Sequence, residues 1–187
     1  MNVVKTNLQD CVIIEPKVFS DPRGFFLETF QAARYATEAG IKMPFVQDNH
    51  SRSIKGVLRG FHYQLNYPQG KLVRCVSGAV FDVAVDLRDG SPTFGQAAWV
   101  ILSDDNQKQF WVPPGFAHGF CVLSDVADFE YKTTNYYHPE DEYALLWSDS
   151  SLGIPWPIEH PIVSDKDVKA PLLSSIPKDK LPKLIST

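Results

Sequence analysis

Between residues 57 and 147 the chain is a succession of short apolar runs separated by turn signals, and this rhythm leaves few folds open. Residues 57–63, VLRGFHY, read as a strand, Asn66, Tyr67, Pro68, Gln69 and Gly70 as a turn, and residues 72–76, LVRCV, as the returning strand. In residues 81–88, FDVAVDLR, the side chains Phe81, Val83, Val85 and Leu87 alternate with Asp82, Ala84, Asp86 and Arg88, the period of two expected of a half-buried strand. Turns at 90–93, 104–106 and 113–115 separate further strands at 97–102, 109–112 and 117–123. A strand at 129–133, a loop at 136–142 and a last strand at 143–147 follow. Strands at a spacing of about 8–12 residues with hardly any helix predict an all-β sandwich or barrel of the jelly-roll type.

The flanks are less regular. Residues 12–19 read as a strand broken at Pro16, and a turn at 20–24 leads into a strand at 25–29. The Ala-rich run 31–39 predicts the one short peripheral helix, stopped at Gly40. Residues 46–53, VQDNHSRS, show no apolar alternation and read as a polar loop, with Gln47, Asp48 and Asn49 offering amide and carboxylate groups. From about residue 165 the tail, interrupted by Pro171, Pro177 and Pro182, reads as irregular.

A chain of 187 residues, 44% hydrophobic, is long enough for one well-covered core and short for two, so residues 1–187 are expected to form a single domain. Eighteen basic against twenty-two acidic residues give a net charge of −4, and no run of Lys and Arg makes the basic stripe that nucleic acid requires. No apolar run approaches the ~20 residues of a membrane span, and MNVVKTNLQD lacks the apolar core of a signal peptide. The expectation is a cytoplasmic protein with neither nucleic acid nor membrane as partner. Cys11, Cys75 and Cys121 are far apart and form no CxxC pair, which predicts buried free thiols.

Residues 56–78 gather Arg59, His62 and Lys71 onto two strands. A rigid strand holds an imidazole against a substrate more accurately than a loop, as proton abstraction requires, and the two cations suit an anionic partner. Strict alternation sends Arg59 and His62 to opposite faces, but Gly60 between them would tolerate a bulge that reunites them. Tyr131 alternates with Phe129 and Thr133 and suits either a core position or a site. Tyr136 and Tyr137 are adjacent, so in extended chain only one of them faces a ligand.

Two segments, 56–78 with His62 and Pro113-x-Gly115-x-x-His118, resemble the paired motifs of the cupin superfamily. Metal-binding cupins commonly carry His-x-His in the first motif; here the second position is Gln64, and no Glu follows at the usual place. His62 and His118 leave at most two nitrogen ligands, short of the three a catalytic site of the zinc type uses, so neither metal nor other cofactor is expected. A metal-dependent cupin oxygenase would need the missing ligand, and a plain binding module would need no mid-strand base.

The segments PKVFSDPRGFFLETF, FVQDNHS, GVLRGFHYQ, QGKLVRCVSG, VFDVAVDLR, SPTFG, WVPPGFAHGF, YKTTNYY and SDKD resemble, across nearly the whole chain, the dTDP-4-dehydrorhamnose 3,5-epimerase family, metal-free cupins of dTDP-L-rhamnose synthesis. The resemblance implies that His62 is the general base, Asp167 its orienting carboxylate, Tyr131 the acid on the opposite face and Lys71 the cation that steadies an enolate. It implies further that Arg23, Glu28, Gln47, Asn49, Arg59, His118, Glu142 and Lys166 contact a dTDP-4-keto-6-deoxyhexose and that Tyr137 packs on its thymine. A homodimer formed by strand exchange near the N-terminal segment is also implied.

Overall fold

The strand rhythm closes into two antiparallel sheets laid face to face. The computed structural model describes residues 1–184. In chain order the elements are β1 (Asn2–Lys5), β2 (Val12–Glu15), β3 (Val18–Asp21), β4 (Gly24–Leu27), α1 (Ala32–Glu38), β5 (Gln47–Ile54), β6 (Leu58–Gln64) and β7 (Lys71–Ser77). There follow β8 (Ala79–Asp86), β9 (Ala97–Ser103), β10 (Gln109–Val112), β11 (Phe116–Val122), β12 (Val126–Thr133), β13 (Glu142–Ala144) and α2 (Asp165–Val168). One sheet runs β1-β2-β10-β7-β12-β5, the other β13-β6-β11-β8-β9. From β5 to β13 the chain changes sheet at every step except β8 to β9, which is the jelly-roll path expected from the spacing. The crossings put the end of β6, the start of β7, the end of β12 and the starts of β5 and β13 at one mouth: Thr133 is opposite both Gln47 and Lys71, and Gln64 is opposite Glu142.

Between the sheets lies an apolar core that includes Val73, Val80, Phe110, Phe116, Phe120 and Phe129. Each such side chain contributes on the order of 1.5–3 kcal/mol by leaving water. A second cluster, with Phe61, Phe81, Val83, Val85, Leu87 and Leu145, lies on the other face of the five-stranded sheet, where Trp147, Trp156, Leu173 and Leu181 cover it. This corrects the half-buried reading of residues 81–88. Strand β8 is buried on both faces, and Asp82 and Asp86 are wholly inaccessible. Asp86 is compensated by Arg88 at 2.9 Å and by the hydroxyls of Ser91 and Thr93, both at 2.6 Å. The three cysteines are free and buried, as expected.

Two further expectations are revised. The segment read as a polar loop is strand β5, paired along its length with β12. Its inward residues Gln47, Asn49, Ser51 and Ser53 are themselves polar, so burial alternates although hydrophobicity does not. Beyond single helical turns the tail has little regular structure, and its first turn, α2, is capped by the Ser164 hydroxyl, which accepts from the Asp167 amide, and docks on β6. Strand β13 is shorter than the 143–147 expected, and β1 adds an edge that the sequence did not announce. Strands β3 and β4 form a separate two-stranded hairpin on which Phe19, Phe25 and Phe26 are 53%, 59% and 70% exposed.

Candidate active site

The site begins with a bulge. On β11, His118 and Phe120 are two residues apart, while their partners on β6, His62 and Arg59, are three apart. Gly60 absorbs the extra residue with φ +111°, and a Cβ there would stand 2.6 Å from the His118 carbonyl oxygen and 2.7 Å from Gly119 Cα. No other residue type fits without moving backbone. The bulge resets the alternation, so Arg59 and His62 both point between the sheets, as Phe120 and His118 opposite them do. Arg59 donates through Nε to Ser53 Oγ at 3.0 Å.

His62 Nε2 lies 2.6 Å from Asp167 Oδ1, and its Nδ1 is 3.8 Å from Glu142 Oε1. Asp167 is held in turn by the Gly60 amide, which donates to its Oδ2 at 3.3 Å. Burial works to raise the Asp167 carboxyl, but the His62 hydrogen bond, the imidazole charge, the Gly60 amide and the Ser164 hydroxyl outweigh it and keep the group below the ordinary carboxylate range. A carboxylate acceptor on Nε2 leaves Nδ1 as the nitrogen toward the mouth and stabilises the imidazolium once a proton arrives. Helix α2 therefore contributes twice: Asp167 to His62, and Lys166 to an ion pair with Glu142 Oε2. The same Glu142 oxygen accepts from the Tyr137 hydroxyl at 3.3 Å.

The opposite sheet contributes Lys71 and Tyr131. Burial pushes the Lys71 ammonium down to about 8, although Glu142 and Asp82 pull it the other way, and among the described residues its Nζ makes no ion pair. Burial and the Glu142 charge raise the Tyr131 phenol, against the Arg59 charge, so it stays protonated near neutrality. Asn49 is directly opposite Tyr131 in register and accepts from Gln47 Nε2 at 2.9 Å. Beneath them His118, nearly inaccessible, has its Nε2 at 2.9 and 3.1 Å from the two oxygens of Asp82. Any contact from His118 to a substrate must therefore use the other ring nitrogen.

His62, Asp167, Glu142, Lys166 and Tyr137 are joined by direct contacts, and Lys71, Tyr131, Gln47 and Asn49 lie at the same end of the opposite sheet. His118 is opposite His62 in register, and Arg59, exposed near the start of β6, bonds Ser53 near the end of β5 and acts on Tyr131 through its charge. Arg23 and Glu28 are not brought to this cluster. Arg23, at the hairpin tip, pairs with Asp21 at 2.5 Å, and Glu28 pairs with Arg34 at 3.1 Å. Asp82 was not singled out from the sequence; its place in a cleanly alternating strand concealed that the polar phase is also buried. Ser53 escaped notice for the related reason that its strand was read as a loop. Among the described residues no group of three or more His, Cys, Asp and Glu side chains is placed to hold a metal ion.

An imidazole backed by a carboxylate on one sheet, with a protonated phenol and an ammonium on the other, is equipment for taking a proton from carbon and returning one, and the barrel that carries it is of the cupin type. A family model described as dTDP-4-dehydrorhamnose 3,5-epimerase matches residues 5–175. The chain is 60% identical over 169 residues to the dTDP-4-dehydrorhamnose 3,5-epimerase of Shigella flexneri, covering 90% of this chain and 93% of that one. It is 52% identical over 183 residues to that of Escherichia coli K12, covering 97% and 99%. The solved dTDP-6-deoxy-D-glucose-3,5-epimerase of Legionella pneumophila, in complex with dTDP-4-keto-L-rhamnose, superposes with a TM-score of 0.95 at 55% identity over 99% of both chains. The chain belongs to the dTDP-4-dehydrorhamnose 3,5-epimerase family and is an isomerase.

Proposed function

We propose that this chain inverts C3 and C5 of dTDP-4-dehydro-6-deoxy-D-glucose, giving dTDP-4-dehydro-L-rhamnose, with His62 as base and Tyr131 as acid. Supporting this reading above all is the 2.6 Å His62–Asp167 dyad on one sheet with Tyr131 on the other. Both carbons flank the C4 ketone, so loss of either proton gives an enolate whose charge gathers on the carbonyl oxygen. Lys71 is the cation available to that oxygen, and Arg59 is a guanidinium suited to the pyrophosphate. Base and acid from opposite walls place removal and return on opposite faces of the ring, which inverts the centre. A setting in which thiols stay reduced accords with the three buried free cysteines, and we place the enzyme in the cytoplasm.

Proton NMR of dTDP-4-keto-6-deoxyglucose in deuterated water tests the reading: deuterium should enter at both C3 and C5, and entry at one carbon alone would reduce the activity to a single epimerisation. In Tyr131→Phe the base and Lys71 remain, so wash-in should continue while inversion falters. The enolate is then reprotonated by the imidazole from the face it left, and the ratio of exchange to epimerisation should rise well above wild type. Equal loss of both signals would mean that the phenol is needed to form the enolate.

The proposal includes a symmetric homodimer. Exchange of the β3–β4 hairpin would cover Phe19, Phe25 and Phe26 and let Arg23 and Glu28 reach a partner's mouth, which they do not do in their own chain. Gel filtration at micromolar concentration should give a dimer that Phe26→Glu weakens together with dTDP affinity; a wild-type monomer would end this part of the proposal.

A further inference from the structure

Where metal-binding cupins carry their second histidine, this chain has Gln64, buried at 4% exposure and two residues beyond His62 on the same face of β6. Its amide is fully committed to backbone. Both Nε2 hydrogens are used, one donated to the Tyr67 carbonyl at 2.6 Å and one to the Tyr136 carbonyl at 3.1 Å. Oε1 accepts from the His138 amide at 2.9 Å. Two loops that meet at the mouth, 65–70 and 134–138, are thereby stitched to one side chain.

Tyr137 lies between the two residues that Gln64 grips in the second loop. Its own amide donates to Gln47 Oε1 at 3.1 Å, and its hydroxyl reaches Glu142. The backbone is thus held at three consecutive residues, yet the Tyr137 side chain is 49% exposed. Fixing the backbone beneath an exposed ring lowers the ordering cost when a flat ligand stacks on that ring.

We propose that Gln64 is a positioning residue that pre-organises Tyr137 for the nucleobase, so that its contribution appears in nucleotide affinity and not in the proton transfers. The inference rests on the nucleotide-sugar reading of this site. A glutamine is required because two of the three partners are carbonyl oxygens: Gln64→Glu keeps an acceptor for His138 but sets a carboxylate against both carbonyls. Gln64→Met keeps the length and loses all three bonds.

The experiment is calorimetry with dTDP together with steady-state kinetics on the full chain. Both variants should weaken dTDP and raise KM by about 3- to 12-fold, the cost of ordering one aromatic side chain and its loop, with kcat and deuterium wash-in at saturating substrate within about twofold of wild type. Adding Gln64→Glu to Tyr137→Ala should weaken dTDP no further, because the platform is already gone. An additive loss in that pair, a fall in kcat without a change in dTDP affinity, or failure of both variants to fold would overturn the inference. A wild-type chain that binds no dTDP would fault the nucleotide-sugar reading itself, whereas wild-type binding retained in Gln64→Glu would fault only the role given to Gln64.

Discussion

His62→Ala is expected to lower turnover by about 10²- to 10⁴-fold, the range typical of losing a general acid/base group, while dTDP binds nearly as before. The separation follows from where the groups sit. His62 touches Asp167 and approaches Glu142, whereas Arg59, the candidate for the pyrophosphate, has its own anchor in Ser53. Deuterium wash-in at C3 and C5 should fall in step with turnover, because removal of the base stops enolate formation itself. Asp167→Asn should give a smaller loss of the same kind, since the asparagine can still hold Nε2 but no longer carries the charge that stabilises the imidazolium. Wild-type turnover in His62→Ala would make the dyad structural and refute the mechanism.

Below about pH 8 Lys71→Met should cost about 10²- to 10³-fold in kcat, comparable with deleting one donor from an oxyanion site, and the gap should narrow above it as the wild-type ammonium loses its charge. The pH dependence of the unsubstituted enzyme is the sharper check. Burial lowers the Lys71 ammonium to about 8, so the charged form proposed to hold the enolate dominates below that pH and is lost above it. The alkaline limb of kcat/KM should therefore fall from about pH 8, far below the ~10.4 of an ordinary lysine. Tyr131 is not the source of such a limb, because its phenol is shifted upward. Lys71→Arg, which cannot lose its charge in this range, should retain part of the activity and carry the limb to higher pH. A profile flat to pH 10 would mean that Lys71 takes no part in holding the developing charge.

How much of this was legible beforehand depends on the kind of signal each residue leaves. Turn residues and period-two runs are local, so the jelly-roll class, most strand positions between 57 and 133 and the isolated helix near 32–38 could be read directly. The bulge at Gly60 was also accessible, because only glycine accommodates that backbone and because Arg59 and His62 conflict in phase without it. Strand β5 was not accessible to hydrophobic periodicity: its inward face lines a polar mouth, so Gln47, Asn49, Ser51 and Ser53 alternate in burial without alternating in character.

The sequence by itself determined the class of fold and the types of group available for chemistry, because both depend on residue identity and on spacings of a few residues. Only the tertiary structure decided which groups come together. Asp167 is 105 residues from His62 and was assigned by resemblance, not by any local pattern; it reaches the imidazole because the capped helix α2 docks on β6. Asp82 is 36 residues from His118 and became a buried partner because β8 pairs with β11 and its polar phase, which includes Val80 and Ala84, faces between the two packed sheets, while the C-terminal segment covers the apolar phase. Arg23 and Glu28 show the converse, since matching a motif did not carry them to the mouth of their own chain. Burial and proximity are properties of the packed sheets, and the shifts at Lys71, Tyr131 and Asp167 arise from them.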